Sequence, residues 1–328
     1  MRVKWFVAAA ALLLLTPGCF FPRITLFPDP AAKLVESRIE GDEDVDGKVV
    51  VIDVHGFIGT QPDEGLMRDR PSVVEEVVAR LDKAEQDEEI KAVVLKVNSP
   101  GGSATASDIL YDRIIRFKEK TSASVVAVFM DVAASGGYYV SLPANHIVAH
   151  PTSVTGSVGV ILIRPRVHGL MDKIGVAAEV SKSGELKDMG SPFREPTKQE
   201  REIFQATADR LADRFMSLVH QHRSLDDEGF ATIATARIFL AEEALQLGLV
   251  DQVGYLDDGL DKAKELADLP EDAEVVMYRR RHYEEDNLYR APNLSAPGRR
   301  PALVDIGLPD LGPRLPGGFY YLWEPGMR

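Results

Sequence analysis

From residue 48 onward, short apolar runs alternate with stretches of helical period, and this alternation confines the chain to the α/β class. Residues 49–54 read as a strand. Residues 72–86 read as an amphipathic helix, with Val73, Val74, Val77, Val78 and Leu81 on one face. A strand follows at 92–97, a helix at 104–119, a strand at 124–130 and the start of a helix at 135–142. Short strands are predicted at 146–149, 158–162 and 178–181, with a helix at 167–174. Such an order needs crossover connections, so the core is predicted to be mainly parallel. The last third turns helical. Thr197 and Glu200 form a capping box at the head of a helix over 197–223, and Gly248 stops a helix over 241–247. A strand at 274–278 closes the fold, and no long internal repeat is visible.

The flanks read differently. Arg2 and Lys4 precede an apolar run at 5–15 and then Thr16-Pro17-Gly18-Cys19, the layout of a secretory signal. A membrane span needs about 20 apolar residues, more than this run supplies. A cysteine behind a small residue at the end of such a run resembles a bacterial lipobox, in which Cys19 is acylated and becomes the mature N-terminus. Thr16 stands where that motif has leucine, with Leu15 one position back. An ordinary signal peptide or an uncleaved anchor is the other reading. Each of them exports the chain, which is expected in the cell envelope, anchored to the membrane and facing the periplasm or the extracytoplasmic side. Residues 20–47 contain prolines and then an acidic run, and read as a tether. Residues 281–328 are rich in Pro, Gly and Arg and read as a tail. Its aromatic end, Phe319, Tyr320, Tyr321 and Trp323, is suited to a groove or a neighbouring subunit.

Composition removes several classes of function. With 38 Lys+Arg against 51 Asp+Glu, the net charge is −13, and the short cluster Arg279-Arg280-Arg281 is followed at once by Glu284, Glu285 and Asp286. Phosphate binding needs a basic face, so no nucleic-acid partner is expected. Cys19 is the only cysteine, which leaves the folded part without a disulfide or a thiolate metal site. No metal or cofactor is expected.

Three segments carry the residue types of acyl-transfer chemistry. Asn98-Ser99-Pro100-Gly101-Gly102 lies between a buried strand and a helix; paired glycines there turn backbone N–H groups toward an oxyanion or phosphate, or simply make a tight turn. Ser135 follows a strand and precedes Gly136-Gly137 and a helix, the position of a nucleophile elbow and equally of an N-cap. The third is a loop, Lys182 to Pro192, containing Lys187 between Glu185 and Asp188. None of the seven histidines stands in a recognisable triad motif, although triads are spatial. A lysine acts as base once burial lowers its pKa from about 10.4 towards 7–8; otherwise Lys182 and Lys187 are solvated loop charges. A carboxylate of Glu185 or Asp188 facing the amine would oppose that shift, so both must point away.

Taken in order, these segments resemble the signal peptide peptidase A (protease IV) family of membrane-associated bacterial serine peptidases. The likeness runs over 48–278. It rests on Val-Asn-Ser-Pro-Gly-Gly (97–102), Ala-Ala-Ser-Gly-Gly-Tyr-Tyr (133–139), Thr-Gly-Ser-Val-Gly-Val (155–160), Ser-Gly-Glu-Leu-Lys-Asp-Met-Gly-Ser-Pro-Phe-Arg (183–194) and Ala-Leu-Gln-Leu-Gly-Leu-Val-Asp (244–251). The resemblance implies Ser135 as nucleophile, Lys187 as general base and Ser157 as the hydroxyl that orients the lysine. The Gly101-Gly102 turn and Gly136 would bind the oxyanion, through the N–H groups of Gly102 and Gly136. It further implies a crotonase/Clp-protease-like fold of repeated β-β-α units with a helical C-terminal third. The peptidase domain would then span 48–280. Also implied are a peptide substrate, apolar and extended, such as a remnant signal peptide, and a ring- or dome-shaped homo-oligomer whose active sites are shared between subunits. Ala236 and Ala241 stand where the family has glycine; far along the chain from the motifs, they bear on local packing only. Two other classes stay open: an acyl-CoA enzyme of the crotonase type, and a catalytically silent scaffold or binding protein.

Overall fold

Valine and isoleucine at both parities of the central strands leave no polar face for water, so these strands must be covered on both sides. The computed structural model describes residues 33–42, 44–62, 71–280, 286–290 and 318–323. Its first part runs β1 (Val35–Glu40), β2 (Lys48–His55), α1 (Val73–Glu85), β3 (Ile90–Ser99), β4 (Gly101–Ser103), α2 (Ala104–Thr121), β5 (Ser124–Ala134) and α3 (Gly136–Ser141). Next come β6 (His146–Ala149), β7 (Val154–Gly156), β8 (Ile161–Ile163), α4 (His168–Ile174) and α5 (Lys198–His222). The rest is α6 (Asp227–Ile233), β9 (Ile238–Leu240), α7 (Ala241–Gln246), β10 (Gln252–Val253), α8 (Leu256–Leu266), β11 (Glu274–Arg279) and β12 (Gly318–Leu322).

The main sheet runs in the order β1-β11-β2-β3-β5-β6-β10, with β7 paired to the carboxyl end of β5 and β9 beside β7. Its centre is parallel, as expected, and β1 and β9 are antiparallel additions. Side chains alternate between two cores. Ile52, Val54, Val93, Leu95, Phe129 and Ala127 face α1, α2 and α3, whereas Val51, Val94, Val126 and Val128 meet Leu256, Leu260 and Ala263 of α8. A smaller sheet, β4-β12-β8, sits at the carboxyl end of the main one.

The caps fall where the sequence puts them. Thr197 Oγ1 accepts from Glu200 N–H at 3.1 Å while Glu200 accepts from Thr197 N–H at 2.9 Å, and Gly248 takes φ +75° behind α7. Other expectations need correction. Part of the segment read as a tether is strand β1, paired with β11 from Val35↔Arg279 onward, so the folded domain begins before residue 48. β1 is an edge strand whose partner lies far along the chain, a bond no local pattern reveals. Likewise part of the tail is β12. Residues 178–181 form no strand; they are exposed and have no ladder partner. Of the strand expected at 158–162 only residues 161–162 are in a ladder, as part of β8; a separate strand, β7, precedes the expected span, and Gly156 and Ser157, with φ +83° and +50°, turn the chain behind it. The expected export signal and Cys19 lie outside the described residues, as does most of 281–328. Among the described residues no helix is long and apolar enough to cross a membrane.

Ala236 does more than pack locally. It adopts φ +56°, a left-handed conformation costing a residue with a Cβ about 1–2 kcal/mol. Moreover, the carbonyl of its neighbour Arg237 accepts the Ser157 N–H at 2.8 Å, so this departure adjoins the candidate site rather than lying far from it. Ala236→Gly is expected to raise the unfolding free energy by about 1 kcal/mol, measured by urea denaturation; a loss of stability would refute the strain.

Candidate active site

The β3–β5 ladder carries two chain turns to one place. Its register shifts past Val97↔Phe129, so that Ser99 pairs with Ala133, and the strands then end at Pro100-Gly101 and at Ser135. Asn98 bridges the two ends: its Nδ2 donates to Asp131 at 2.8 Å and its Oδ1 accepts from Val132 N–H at 3.2 Å. Ser99 fixes the glycine turn, for its Oγ donates to the Gly56 carbonyl at 2.6 Å and accepts from Gly101 N–H at 3.1 Å.

Space at this junction is tight. A methyl group on Gly101 would lie 2.0 Å from the Tyr321 carbonyl oxygen and 2.6 Å from the Gly136 amide nitrogen. One on Gly136 would lie 2.5 Å from Ser107 Oγ and 3.0 Å from the same Tyr321 oxygen, and one on Gly102 would meet Ile58 at 2.1 Å. Glycine is therefore required at all three positions by close backbone approach. Gly101, with φ +99°, needs it for conformation as well.

Ser135 is 1% exposed and holds φ 53° and ψ −116°, a sparsely populated conformation for a residue with a Cβ. Two backbone bonds hold it there: its N–H donates to Gly156 O at 2.8 Å, and its carbonyl accepts from Tyr139 N–H at 2.8 Å. Its Oγ is buried with no hydrogen-bond partner, so it is not acting as an N-cap and no described histidine serves it. Ser157 is brought near by β7, whose Gly156 pairs with Ala134, and it too is buried with a positive φ.

Lys187 is not joined to Ser135 within the chain. It is exposed, on a loop where its N–H donates to the Gly184 carbonyl at 3.1 Å. Of the two carboxylates beside Lys187, that of Asp188 is engaged by other residues. Arg194 grips it through two bonds of 2.8 Å and Lys182 adds a third of 2.7 Å. The Arg194 guanidinium, then Lys182, hold the Asp188 carboxyl well below the usual carboxylate range, and Asp188 and Glu200 in turn raise Arg194. Arg194 also binds Glu200, tying this loop to the first turn of α5. The surrounding segment shows much apolar surface, with Leu170 61%, Ile174 63%, Val180 51% and Phe193 50% exposed.

Sequence reasoning missed two contributors. Ile58 flanks the glycine turn: its N–H donates to Gly101 O and its carbonyl accepts from Ser103 N–H, both at 2.9 Å. Nothing in residues 56–60 marks that role. The other is Tyr321, whose signal was the aromatic run at the end of the chain.

A strained, unpartnered serine at a strand-to-helix elbow, beside a turn of glycine amides, has the geometry of the serine hydrolase class. Comparison with known proteins narrows it. Residues 118–270 match peptidase family S49. The chain is 35% identical over 232 residues to a protein designated signal peptide peptidase SppA in Enterococcus faecium, covering 71% of this chain and 67% of that one. It is 33% identical over 247 residues to Protease 4 of Haemophilus influenzae, covering 74% of this chain but only 39% of the relative. The chain belongs to peptidase family S49 and is a serine peptidase.

Ser99→Ala removes a buried hydroxyl that supports the turn. It is expected to cost about 1–3 kcal/mol of stability, read by urea denaturation, and to lower kcat for a peptide substrate; unchanged values of both would remove Ser99 from the turn's support.

Proposed function

We propose that the chain cuts apolar peptides, remnant signal peptides among them, in the bacterial cell envelope, through a Ser-Lys dyad. Ser135 is the nucleophile, Lys187 the general base and Ser157 the hydroxyl that orients the lysine. The observation that carries this reading is Ser135 Oγ itself, buried, unpartnered and held by a strained backbone against the glycine turn. The designation of the Enterococcus faecium relative supports the substrate class.

Neutral Lys187 takes the proton from Ser135 Oγ as the oxygen adds to a peptide carbonyl. The N–H groups of Gly102 and Gly136 stabilise the negative charge that develops on that carbonyl oxygen. The lysine then returns the proton to the departing amine, and the new N-terminus leaves an acyl-enzyme. Water, deprotonated by the same amine, adds to the ester and releases the carboxylate product. Asp188 does not oppose this cycle, since Arg194 and Lys182 neutralise it.

We infer further that the dyad is completed by a second copy of the chain. The buried hydroxyl and the exposed amine belong to separate parts of one subunit, and the lysine-bearing segment exposes Leu170, Ile174, Val180 and Phe193. Apolar surface of that kind is what an interface buries. A ring or dome of subunits on a crotonase/Clp-like fold fits the parallel sheet with its site at the carboxyl ends of β3 and β5. Anchoring through an acylated Cys19 belongs to the same reading; incorporation of a labelled fatty acid into the chain, but not into Cys19→Ser, tests it.

Ser135→Ala and Lys187→Ala are each expected to reduce hydrolysis of a short apolar peptide by at least about 10³-fold. Retention of wild-type rate by either sinks the dyad. Mixing the two inactive variants after dissociation and reassembly is expected to restore part of the activity. If the mixture stays as inactive as its components, the two residues act within one chain.

A further inference from the structure

None of residues 182–194 is buried, so packing does not place the loop that bears Lys187. The loop is a run of tight turns. Lys187 N–H donates to Gly184 O at 3.1 Å, Met189 N–H to Leu186 O at 3.0 Å and Ser191 N–H to Asp188 O at 3.0 Å. Turns of this kind fix local shape, but not where the loop sits on the molecule.

Placement falls to Arg194. Its Nε and Nη2 donate to the two carboxylate oxygens of Asp188, both at 2.8 Å, and Nη2 also approaches the Asp188 carbonyl at 3.2 Å. Nη1 donates to Glu195 O and to Glu200 Oε2, each at 3.0 Å, and Nη2 reaches Glu200 Oε1. Every nitrogen of the fork is engaged, and the backbone one residue from Lys187 is held along with the carboxylate. A lysine ammonium lacks the planar fork and could not grip both partners in this way.

Glu200 makes the other end firm. Among the described residues of α5 from Lys198 to Arg214 it is the one buried side chain, 1% exposed. A buried carboxylate needs a charged partner, and Arg194 supplies it. Further along, Phe215, Leu218 and Val219 seat α5 in the core. A continuous path of bonds thus runs from the core to the residue beside Lys187.

The charges also balance. Asp188 and Glu200 carry two negative charges, and Arg194 and Lys182, whose Nζ donates to Asp188 at 2.7 Å, carry two positive ones. The bonds from Arg194 are the leading cause that holds both carboxyls below their usual range. The other charged groups of the neighbouring elements are paired elsewhere or face solvent. Glu195 meets His168 at 3.0 Å and Arg166 at 3.8 Å, and Lys198 meets Glu202 at 3.6 Å. Arg164 lies on the Phe204 ring and Arg201 donates to Pro196 O, while Asp172, Lys173, Glu179 and Glu185 are exposed.

We propose that Arg194 is a positioning residue for the general base: through Asp188 it aims the loop that bears Lys187, and its charge cancels the carboxylate beside the amine, which sets the pH at which the peptidase switches on. The proposal rests on the assignment of Lys187 as base made above. An uncancelled carboxylate at Asp188 favours the ammonium form of its neighbour, so the base then needs a higher pH to lose its proton.

The test compares kcat/KM against pH for succinyl-Ala-Ala-Leu-aminomethylcoumarin in the full chain and in Arg194→Gln, Arg194→Lys, Asp188→Asn and the double variant Arg194→Gln/Asp188→Asn. In Arg194→Gln the acid limb is expected to move up by about one pH unit, with kcat lowered and KM little changed. In Asp188→Asn it moves down, because two cations are left without that carboxylate. The double variant returns to the wild-type limb, although its kcat stays low because the loop is no longer tied to α5. Arg194→Lys keeps the limb and loses kcat. A merely structural clasp lowers kcat in all four and moves no limb. An acid limb of Arg194→Gln that coincides with wild type overturns the proposal. Where that variant does not fold, Asp188→Asn, which leaves Glu200 paired, decides in its place, and an unmoved limb there overturns it. Lys187→Ala separates the two levels. If it is inactive and the limbs stay put, this inference fails alone; if it keeps the wild-type rate, the base assignment fails and takes this inference with it.

Discussion

Everything in the site hangs on the parallel ladder between β3 and β5. Because both strands are buried on both faces, neither can slide or tilt without breaking two cores at once. The turns at their carboxyl ends are therefore delivered side by side with little freedom, and Asn98 locks one end to the other. A strained serine is tolerated at the end of such a ladder because the surrounding structure over-determines it: Gly156 holds its N–H and Tyr139 its carbonyl. The stability of the core and the geometry of the proposed nucleophile are thus coupled.

The lysine side of the proposed dyad obeys a different logic. No apolar core locates the loop that bears Lys187; it is fixed to α5 by charge, through Asp188, Arg194 and Glu200. Charged bonds at the surface orient a chain segment without burying it, which leaves its apolar side chains available to another molecule. One half of the proposed centre is rigid by packing, and the other is aimed by ion pairs.

How legible this was in the sequence depended on how local each determinant is. Helices α1 and α5 were readable nearly to their ends, α1 from its apolar period and α5 from the Thr197-Glu200 cap, which acts within one turn. The central strands were readable because two-sided burial writes continuous valine and isoleucine. β1 and β12 were not, since each is stabilised by a ladder to a residue more than two hundred positions away and looks locally like a linker. The opposite error at 178–181 has the same root: a short alternating stretch, Ala-Glu-Val-Ser, has no partner edge to pair with. Ser135 was visible as an elbow, but its strain and its missing partner were not. Lys187 carried no local signal at all and was found only through the resemblance of its motif.

The separation between the buried hydroxyl and the exposed amine bears on where a chain of this kind is dangerous. A peptidase complete in one subunit would threaten every protein it meets during synthesis and transit. On the proposed shared centre, the catalytic unit is a collision product, and its abundance varies with how densely subunits are confined. Chains spread thin in a three-dimensional volume rarely meet, whereas the same number tethered to a two-dimensional sheet meet constantly. Surface density then becomes the safety catch, and the proposed anchor at Cys19, remote from any chemistry, acts as the trigger.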